Sequence, residues 1–476
     1  MNAFAWFVLI AYLPISIGIY RLLPPRQAFL WVIFGGVLFL PLESFKLSIL
    51  ADYGKASAPA YSALLCTLIF YPHFLFRYRL KWFDLPMLGW IIWQFPPSLA
   101  NGYGLHDGAA QAVDFATVWA VPYFLTRCYF TRPRHLREVA LALVGAGLIY
   151  LPLCLFEVRM SPSLHLWIYG TYPSPFFDMV RLGGYRPVVF MRHGLMLAFF
   201  MCSAAFVAGW LWWFWREPGP KKVGPVPIAW AALGLVPMAI LTRSAGAIMI
   251  FACLAGLVLL SRGGKWKWLL VIPVVIMPIY IGTRTAEITD GRFMLDVTKA
   301  LFKNEQSRAS SLIARLTQED NEISKIRQKP WTGWSNWSPG QDQLWLLLAR
   351  NTGLPTTAMW LATFSLPLVL VLNANLKKCR DLFVFGVPLA LVLVGWTMDG
   401  LFNGMFHPIW SVVAAAVMTA ATNTAADRIL TDKLSRQINR DSMYMNSEAT
   451  NQSEVSLHCQ RKGTYNYTIQ SFRRRP

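Results

Sequence analysis

Long apolar runs separated by short polar loops recur along most of the chain. A helix of about 17–25 apolar residues crosses the ~30 Å core of a bilayer, and most of these runs approach or exceed that length. The pattern predicts an all-α polytopic membrane protein with about 12–13 transmembrane helices. The predicted spans are 3–20, 28–42, 57–71, 85–100, 113–126, 138–156, 188–215, 226–242, 245–261, 268–282, 344–372, 382–398 and 404–421. The short span 85–100, which contains Pro96-Pro97, is alternatively re-entrant.

Two longer polar intervals interrupt this pattern, residues 157–187 and residues 283–343. The larger one carries nine basic and eight acidic residues, a near-balance that indicates a folded polar element. Apolar side chains at 312, 313, 316, 323 and 326 have helical spacing and predict a helix over Gln306–Gln328. Pro330 is expected to end it, because proline interrupts the hydrogen bonding of a helix.

Basic residues divide the connecting loops into two alternating sets. One set carries 18 of them: Arg21, Arg26, Arg77, Arg79, Lys81, Arg127, Arg132, Arg134, Arg137, Arg216, Lys221, Lys222, Arg262, Lys265, Lys267, Lys377, Lys378 and Arg380. The short loops of the other set carry six: Lys46, Lys55, Arg159, Arg181, Arg186 and Arg243. Cytoplasmic loops are enriched in Lys and Arg, so the first set is predicted to be cytoplasmic. Both long polar intervals are then extracytoplasmic.

This topology defines one transmembrane domain, residues 1–421, and a tail. The tail, residues 422–476, is rich in Asn, Ser, Thr and Arg and is predicted to be cytoplasmic and disordered. The first span lacks the basic residues and cleavage site of a signal peptide, so we expect it to be retained.

Composition agrees with this picture. The chain is 55% hydrophobic and 14% charged, against about 25% charged for a soluble domain. Its net charge of +20 is largely explained by membrane topology, so no nucleic-acid partner is expected. The seven cysteines show no metal-ligand spacing and are predicted to be free thiols.

Candidate chemistry begins in the predicted helix of the larger loop. Arg308, Arg315 and Glu322 recur every seven residues and share one face, and Glu319 is spaced to pair with Arg315. One interpretation is a solvated, salt-bridged face. The other is a pair of arginines that binds a diphosphate, because guanidinium groups donate paired hydrogen bonds to phosphate oxygens.

Further candidates lie at the predicted outer ends of the spans. Arg243 stands between two apolar runs, where a charge is costly and usually functional, unless its side chain extends to the headgroups. Asp342 precedes an apolar run and is interpreted either as a helix N-cap or as a general base. The possible cavity-lining residues are His193, Asp399 and His407, and Arg186 is a further cation. Such a cluster suits an anionic, lipid-linked substrate taken from the outer leaflet.

Several short motifs follow one another in a characteristic order, and all of them lie on the predicted outer side of the membrane. Asp342-Gln343 is followed by nine residues and then by Gly353-Leu354-Pro355-Thr356. Upstream lie Ser311–Arg315, Pro330-Trp331-Thr332-Gly333-Trp334, Thr242–Gly246, and Arg186-Pro187 with His193-Gly194. Residues 180–420 thereby resemble the bacterial O-antigen ligases and the related O-antigen and exopolysaccharide polymerases. That family has His at the position of Asp342, a departure that favours a polymerase-like member.

The resemblance implies a GT-C-like fold in the bacterial inner membrane. It implies transfer of a glycan from an undecaprenyl diphosphate carrier to a sugar hydroxyl at the outer face, without a metal or other cofactor. Arg315 and Arg308 would bind the diphosphate, Arg243 or Arg186 would assist, and Asp342 would be the base. The implied partners are the lipid-linked donor, a glycan acceptor, membrane lipids and other envelope polysaccharide assembly proteins.

Two other functions stay open at this point. A transporter or flippase of a lipid-linked glycan or another anion is expected to show broken helices in repeated halves, with charges near the membrane midplane. The chain shows no internal repeat, and its candidate charges cluster at one face. A non-catalytic scaffold of an envelope complex is the third possibility, and it would tolerate loss of Arg315 or Asp342.

Overall fold

The computed structural model describes residues 2–47, 51–76, 78–181, 183–215, 221–261, 267–289, 306–335 and 343–424. Within these ranges the side chains of residues 267, 306–312 and 314 are outside the description. Residues up to Asn423 form one compact unit. The predicted tail, residues 422–476, lies outside the described residues apart from its first three.

Helices dominate the described residues. They are α1 (Ala3–Leu22), α2 (Pro25–Phe39), α3 (Ala58–Phe70), α4 (Pro72–Phe76), α5 (Leu85–Ile92), α6 (Phe95–Ala100), α7 (Gly104–Phe115), α8 (Val121–Tyr129), α9 (Leu136–Met160), α10 (Leu164–Tyr169), α11 (Gly194–Phe214), α12 (Ile228–Leu241), α13 (Ala245–Leu260), α14 (Ile272–Thr285), α15 (Gln306–Gln328), α16 (Leu344–Thr352), α17 (Leu354–Asn373), α18 (Val387–Asp399) and α19 (Ile409–Thr424). Three hairpins of two-residue antiparallel strands connect some of them. They are β1–β2 (Ser44–Phe45, Tyr53–Gly54), β3–β4 (Val180–Arg181, Gly184–Tyr185) and β5–β6 (Lys222–Val223, Val226–Pro227).

Six helical segments of the described chain are long and apolar enough to cross a membrane. They are Ala3–Leu22, Pro133–Met160, Gly194–Phe214, Trp268–Thr285, Leu354–Asn373 and Leu382–Asp399. Shorter apolar helices accompany them: Pro25–Phe39, Ala58–Phe70, Ile228–Leu241, Ala245–Leu260 and Ile409–Thr424. This is the architecture of an all-α polytopic membrane protein. Several of the other predicted runs are short or broken, so the count of about 12–13 transmembrane helices stays a prediction.

Burial separates central helices from peripheral ones. In the segment Leu382–Asp399, 89% of the most apolar stretch is buried within the protein, and in Gly194–Phe214 the share is 78%. In Ala3–Leu22 it is only 28%. A helix that is apolar on all sides and buried on all sides belongs to the centre of a bundle, so α11 and α18 form the core.

Two predicted spans depart from a single regular α-helix in the structure. Span 85–100 is divided into α5 and α6 at Trp93-Gln94, and Pro96 and Pro97 lie in the first turn of α6, where a missing N–H is tolerated. Span 113–126 belongs to a longer helical run, in which α7 and α8 are joined by a π-helical turn, Ala116–Ala120.

The predicted span 344–372 is wrong as a single helix, because it divides into α16 and α17 at Gly353. Gly353 has φ +86° and ψ 168°, far from helical values. Its apolar neighbours continue the hydrophobic pattern on both sides, which concealed the interruption. We call this point the Gly353 break.

At one end of the bundle, loops of the more basic predicted set contact one another. Arg26 pairs with Glu138 at 2.8 Å. Asn423 accepts a hydrogen bond from Lys81 at 2.6 Å and donates one to the carbonyl oxygen of Thr131 at 2.7 Å. The contacts therefore group residues that the alternation of basic loops also grouped.

Loops of the other predicted set contact one another as well. Asn2 donates to the carbonyl oxygen of Ile168 at 2.7 Å, and the Tyr169 hydroxyl donates to that of Phe39 at 2.7 Å. The amide of Asn101 donates to the carbonyl oxygen of Gly333 at 2.9 Å. Which of the two ends faces the outside of the cell stays a prediction from the positive-inside rule.

The turn that follows α15 docks on the Gly353 break. Residues 330–335, which we call the Pro330 turn, make backbone hydrogen bonds with the end of α16 and with the first residue of α17. Leu354 N–H donates to the Pro330 carbonyl at 2.8 Å, and Trp334 N–H donates to that of Arg350 at 2.8 Å. Ser335 N–H donates to the Asn351 carbonyl at 2.8 Å. The backbone groups freed by breaking the helix are thus satisfied by the turn.

Both glycines at this contact are required by close approach of the two backbones. A Cβ on Gly333, which has φ +62°, would lie 2.6 Å from the carbonyl oxygen of Arg350. A Cβ on Gly353 would overlap the carbonyl oxygen of Trp331. The two motifs that the sequence singled out, around Pro330 and around Gly353, are therefore one packed unit.

We predict that Gly353→Ala strongly destabilises the protein. The backbone conformation alone costs residues other than Gly roughly 1–3 kcal/mol, and the new methyl group would collide with the Pro330 turn. The thermal unfolding temperature of the solubilised protein should fall. Gly256→Ala in α13 is the matched control, because nothing lies within 4 Å of the new Cβ and Ala favours helix. Equal stability of the two variants would contradict the docking.

Candidate functional site

Buried ion pairs fix α15 to α14. The helix has the bounds predicted from the sequence, Gln306–Gln328. Glu319, 1% exposed, accepts from Arg284 Nε at 2.6 Å and from the Tyr280 hydroxyl at 2.8 Å. Arg284 also pairs with Asp320 at 2.6 Å. The expected pairing of Glu319 with Arg315 is therefore wrong, because Arg284, 35 residues earlier in the chain, takes that carboxylate.

A second set of contacts fixes α15 to α16. Glu322 lies 3.1 Å from Arg350 Nε, an ion pair without good hydrogen-bond alignment, and accepts from Lys325 at 3.0 Å. Leu316, Ile323 and Ile326 are buried beneath the helix, at 3%, 3% and 0% exposure. The acidic residues predicted for a solvated face are thus largely structural.

Arg315 stands apart from these pairs. Its side chain is half-buried, and none of the ion pairs among the described residues includes it. Its carbonyl oxygen accepts from Gln343 Nε2 at 3.3 Å, which brings the residue just before α16 against α15. Gln343 in turn accepts from the indole N–H of Trp345 at 2.9 Å. Asp342 lies outside the described residues, as does the side chain of Arg308.

Two other candidate arginines lie together. Arg186 Nη2 donates to the Arg243 carbonyl oxygen at 3.2 Å, and Arg243 Nη1 donates to the Arg181 carbonyl oxygen at 3.0 Å. Arg243 adopts φ +55° in the turn between α12 and α13, and its guanidinium packs against Gly184, where a side chain would collide with it. The β3–β4 hairpin thus cradles this arginine.

The buried carboxylate of Glu157 anchors the segment that carries Arg186. Glu157 at the end of α9 is 1% exposed and accepts from the backbone N–H groups of Val188 and Val189, each at 2.7 Å. Arg186 is itself only 6% exposed, and its Nε has no hydrogen-bond partner among the described residues. A buried cation with an unused donor is a candidate for anion binding.

Electrostatics connects Arg186, Arg315 and Asp399. Burial, together with the positive charges of Arg181 and Arg315, lowers the pKa of Arg186 to about 10, and the carboxylate of Asp178 partly opposes this shift. The charge of Arg315 also acts on Asp399, which is 4% exposed at the end of α18 and accepts from the Asn403 amide at 2.7 Å. We call Arg186, Arg243 and Arg315 the arginine cluster.

A cavity of about 730 Å³ forms a separate neighbourhood, and we call it the His407 cavity. Its charged and histidine lining residues are Asp52, Lys55, Asp114, Arg192, His193 and His407. The predicted candidates His193 and His407 are thus brought together, whereas Arg186, Arg243, Arg315 and Asp399 are not among the residues that line it.

The two histidines have different surroundings. His193 is the N-cap of α11, and its Nδ1 accepts from the backbone N–H of Leu195 at 3.1 Å. His407 is 2% exposed and stacks on Phe200, with ring centroids 6.0 Å apart. Burial, followed by the charge of Lys55, lowers the pKa of His407 to about 3, so the ring is neutral.

Lys55 is a further lining residue that the sequence did not single out. Its ammonium donates to the carbonyl oxygens of Leu38 and Leu40 at the end of α2, the electronegative end of a helix. Burial lowers the pKa of Lys55 to about 7.

The sequence analysis also did not single out Arg284 and Arg350, although a charge at the end of an apolar helix is the signal that identifies them.

Among the described residues, no three His, Cys, Asp or Glu side chains lie close enough together to hold a metal ion. The six cysteines in these ranges are free, as predicted.

No protein-family profile matches the chain, and no curated protein matches it significantly. The fold and the site therefore define the class of an all-α polytopic membrane protein with a polar, cationic end.

We predict that Arg284→Ala destabilises the protein by about 3–5 kcal/mol, because it leaves the buried carboxylate of Glu319 without its cation. Arg327→Ala, at the other end of α15, should cost at most about 1 kcal/mol, because its pair with Glu287 is exposed. Thermal unfolding of both variants tests the difference. Similar melting temperatures would show that the Arg284 pair does not hold α15.

Proposed function

We propose that this protein is a membrane glycosyltransferase-type polymerase or ligase of the GT-C-like kind. It would transfer a glycan from undecaprenyl diphosphate to a sugar hydroxyl at the outer face of the bacterial inner membrane, in surface polysaccharide synthesis. The observation that carries the proposal is the contact between Arg186 and Arg243, with the charge of Arg315 near enough to lower the pKa of Arg186. Three separate elements contribute these arginines: the loop after β4, the α12–α13 turn and α15.

The chemistry of the leaving group supports this proposal. As the anomeric bond breaks, negative charge develops on the diphosphate oxygens. Guanidinium groups held in place by the fold stabilise that charge without reorganising. Arg186 and Arg243 are fixed by hydrogen bonds to the backbone, and Arg315 has no carboxylate partner among the described residues. Such arginines are suited to a diphosphate rather than to a neutral ligand.

Proton transfer needs a base near the acceptor hydroxyl. Asp342 remains our candidate by its place in the motif before α16, and Gln343 beside it in sequence contacts Arg315. An unperturbed Asp has a pKa of about 3.9, so a base of this kind needs its pKa raised by its surroundings. A well-placed acid–base group typically contributes about 10²–10⁴-fold to the rate.

Transport of a lipid-linked anion is the second candidate, and one observation favours it. Two helical runs are broken, at Trp93-Gln94 and at Gly353. The Pro330 turn, which docks on the Gly353 break, also contacts the other break, because Trp93 Nε1 donates to the Trp331 carbonyl oxygen at 3.2 Å. Discontinuous helices are common in transporters. The arginine cluster, however, lies in a loop, an interhelical turn and the polar helix α15, which suits surface chemistry better than passage.

We predict that Arg315→Ala and Asp342→Asn each abolish long polysaccharide chains in the native host, at normal protein levels in the membrane. Lipid-linked repeats should accumulate in the outer leaflet, where a membrane-impermeant sugar-binding probe reaches them on spheroplasts. Arg327→Ala, an exposed arginine of the same helix, is the matched control and should leave chain length unchanged.

The location of the accumulated lipid separates the alternatives. Accumulation confined to the inner leaflet would favour transport. Unchanged polysaccharide in both variants would contradict the enzyme proposal and favour a scaffold.

A further inference from the structure

His407 is a buried polar residue that the diphosphate chemistry above does not use. It lines the His407 cavity, is 2% exposed, and neither ring nitrogen has a hydrogen-bond partner among the described residues. The Ser174 hydroxyl lines the same cavity and is also buried without a partner there. Buried polar groups are nearly always hydrogen-bonded, so two residues with unpartnered polar atoms in the lining of one cavity indicate a ligand that supplies the bonds.

The protonation state of His407 limits the kind of ligand. A neutral imidazole offers one donor and one acceptor, and a serine hydroxyl offers both in one atom. A hydroxyl group on a ligand also donates and accepts, so neighbouring hydroxyls can satisfy both ring nitrogens together. An ionised phosphate oxygen only accepts, so it would leave the N–H-free nitrogen of the ring unpaired.

The charges of the cavity lining also favour a neutral ligand over an anion. Among the described lining residues, Lys55 and Arg192 are opposed by Asp52 and Asp114, so their formal charges balance. Lys55 is also held by two backbone carbonyls, which reduces its attraction for an anion. The cavity therefore differs from the arginine cluster, in which cations predominate.

Size and wall chemistry suit a sugar. A volume of about 730 Å³ lies within the roughly 300–1,000 Å³ usual for small-molecule sites. Apolar side chains such as Met196 and Phe406 line it beside the polar groups. A sugar ring has apolar C–H faces and a hydroxylated rim, and it matches both kinds of wall.

We propose that the His407 cavity binds a neutral sugar unit, with His407 and Ser174 hydrogen-bonding to its hydroxyl groups. This sugar site is distinct from the arginine cluster. Its role as the acceptor site rests on the proposed function, whereas sugar binding itself does not.

Sugar binding to the full-length protein tests the proposal. The protein is placed in nanodiscs of phosphatidylethanolamine and phosphatidylglycerol, which contain no sugar ring. Saturation-transfer NMR then measures binding of glucose, galactose and N-acetylglucosamine. At least one should bind the unmodified protein. His407→Phe should bind it about tenfold more weakly, equivalent to about 1.4 kcal/mol. His407→Gln should retain part of the affinity, because an amide keeps a donor and an acceptor.

Stability and a second variant complete the test. His407→Phe should not lower the thermal unfolding temperature, because it removes unpaired polar atoms and keeps an aromatic ring against Phe200. The Arg315→Ala protein should still bind the sugar, although cells that carry this variant should lose long polysaccharide chains. The binding measurement therefore tests the sugar site, and the polysaccharide measurement tests the proposed function. No binding of any of the three sugars, unchanged binding by His407→Phe, or displacement of the sugar by inorganic pyrophosphate would overturn the sugar site.

Discussion

The backbone contact between the Pro330 turn and the Gly353 break is the constraint on which the polar end of the molecule depends. Breaking the apolar run after α16 exposes carbonyl and N–H groups that a bilayer does not satisfy. The Pro330 turn supplies their partners, and two glycines permit the close approach. Because α15 ends immediately before this turn, the contact fixes one end of the helix that carries Arg315. The Arg284 pairs with Glu319 and Asp320 fix it from α14.

The distribution of charge follows from this arrangement. Glu319 and Glu322 are taken by Arg284 and Arg350, so they do not neutralise Arg315. The positive charge of Arg315 contributes to the lowered pKa of Arg186, and the buried Glu157 holds the backbone that follows Arg186 in place. The result is a cationic cluster that is separate from a mainly apolar cavity whose described lining carries charges of both signs. Under the function proposed above, the charged diphosphate and the uncharged sugar would therefore have different surroundings.

Hydrophobic periodicity predicted the helical membrane class, most apolar helices and the bounds of α15, because these depend on local sequence alone. It missed the break at Gly353, since the apolar pattern continues through it and only the partner turn makes the break favourable. It paired Glu319 with Arg315 by local spacing, whereas the chosen partner, Arg284, comes from another helix. The His407 cavity brings Lys55 next to His407 from distant parts of the chain. No single-sequence pattern encodes that proximity.

A cryo-electron microscopy structure of the protein in nanodiscs with inorganic pyrophosphate tests the central claim most directly. That claim is that arginines from the loop after β4, the α12–α13 turn and α15 converge on one diphosphate. We expect density for pyrophosphate within hydrogen-bonding distance of Arg186 and Arg315, with the Pro330 turn docked on Gly353. Pyrophosphate bound elsewhere, or Arg315 turned away from Arg186 with the site occupied, would contradict the account.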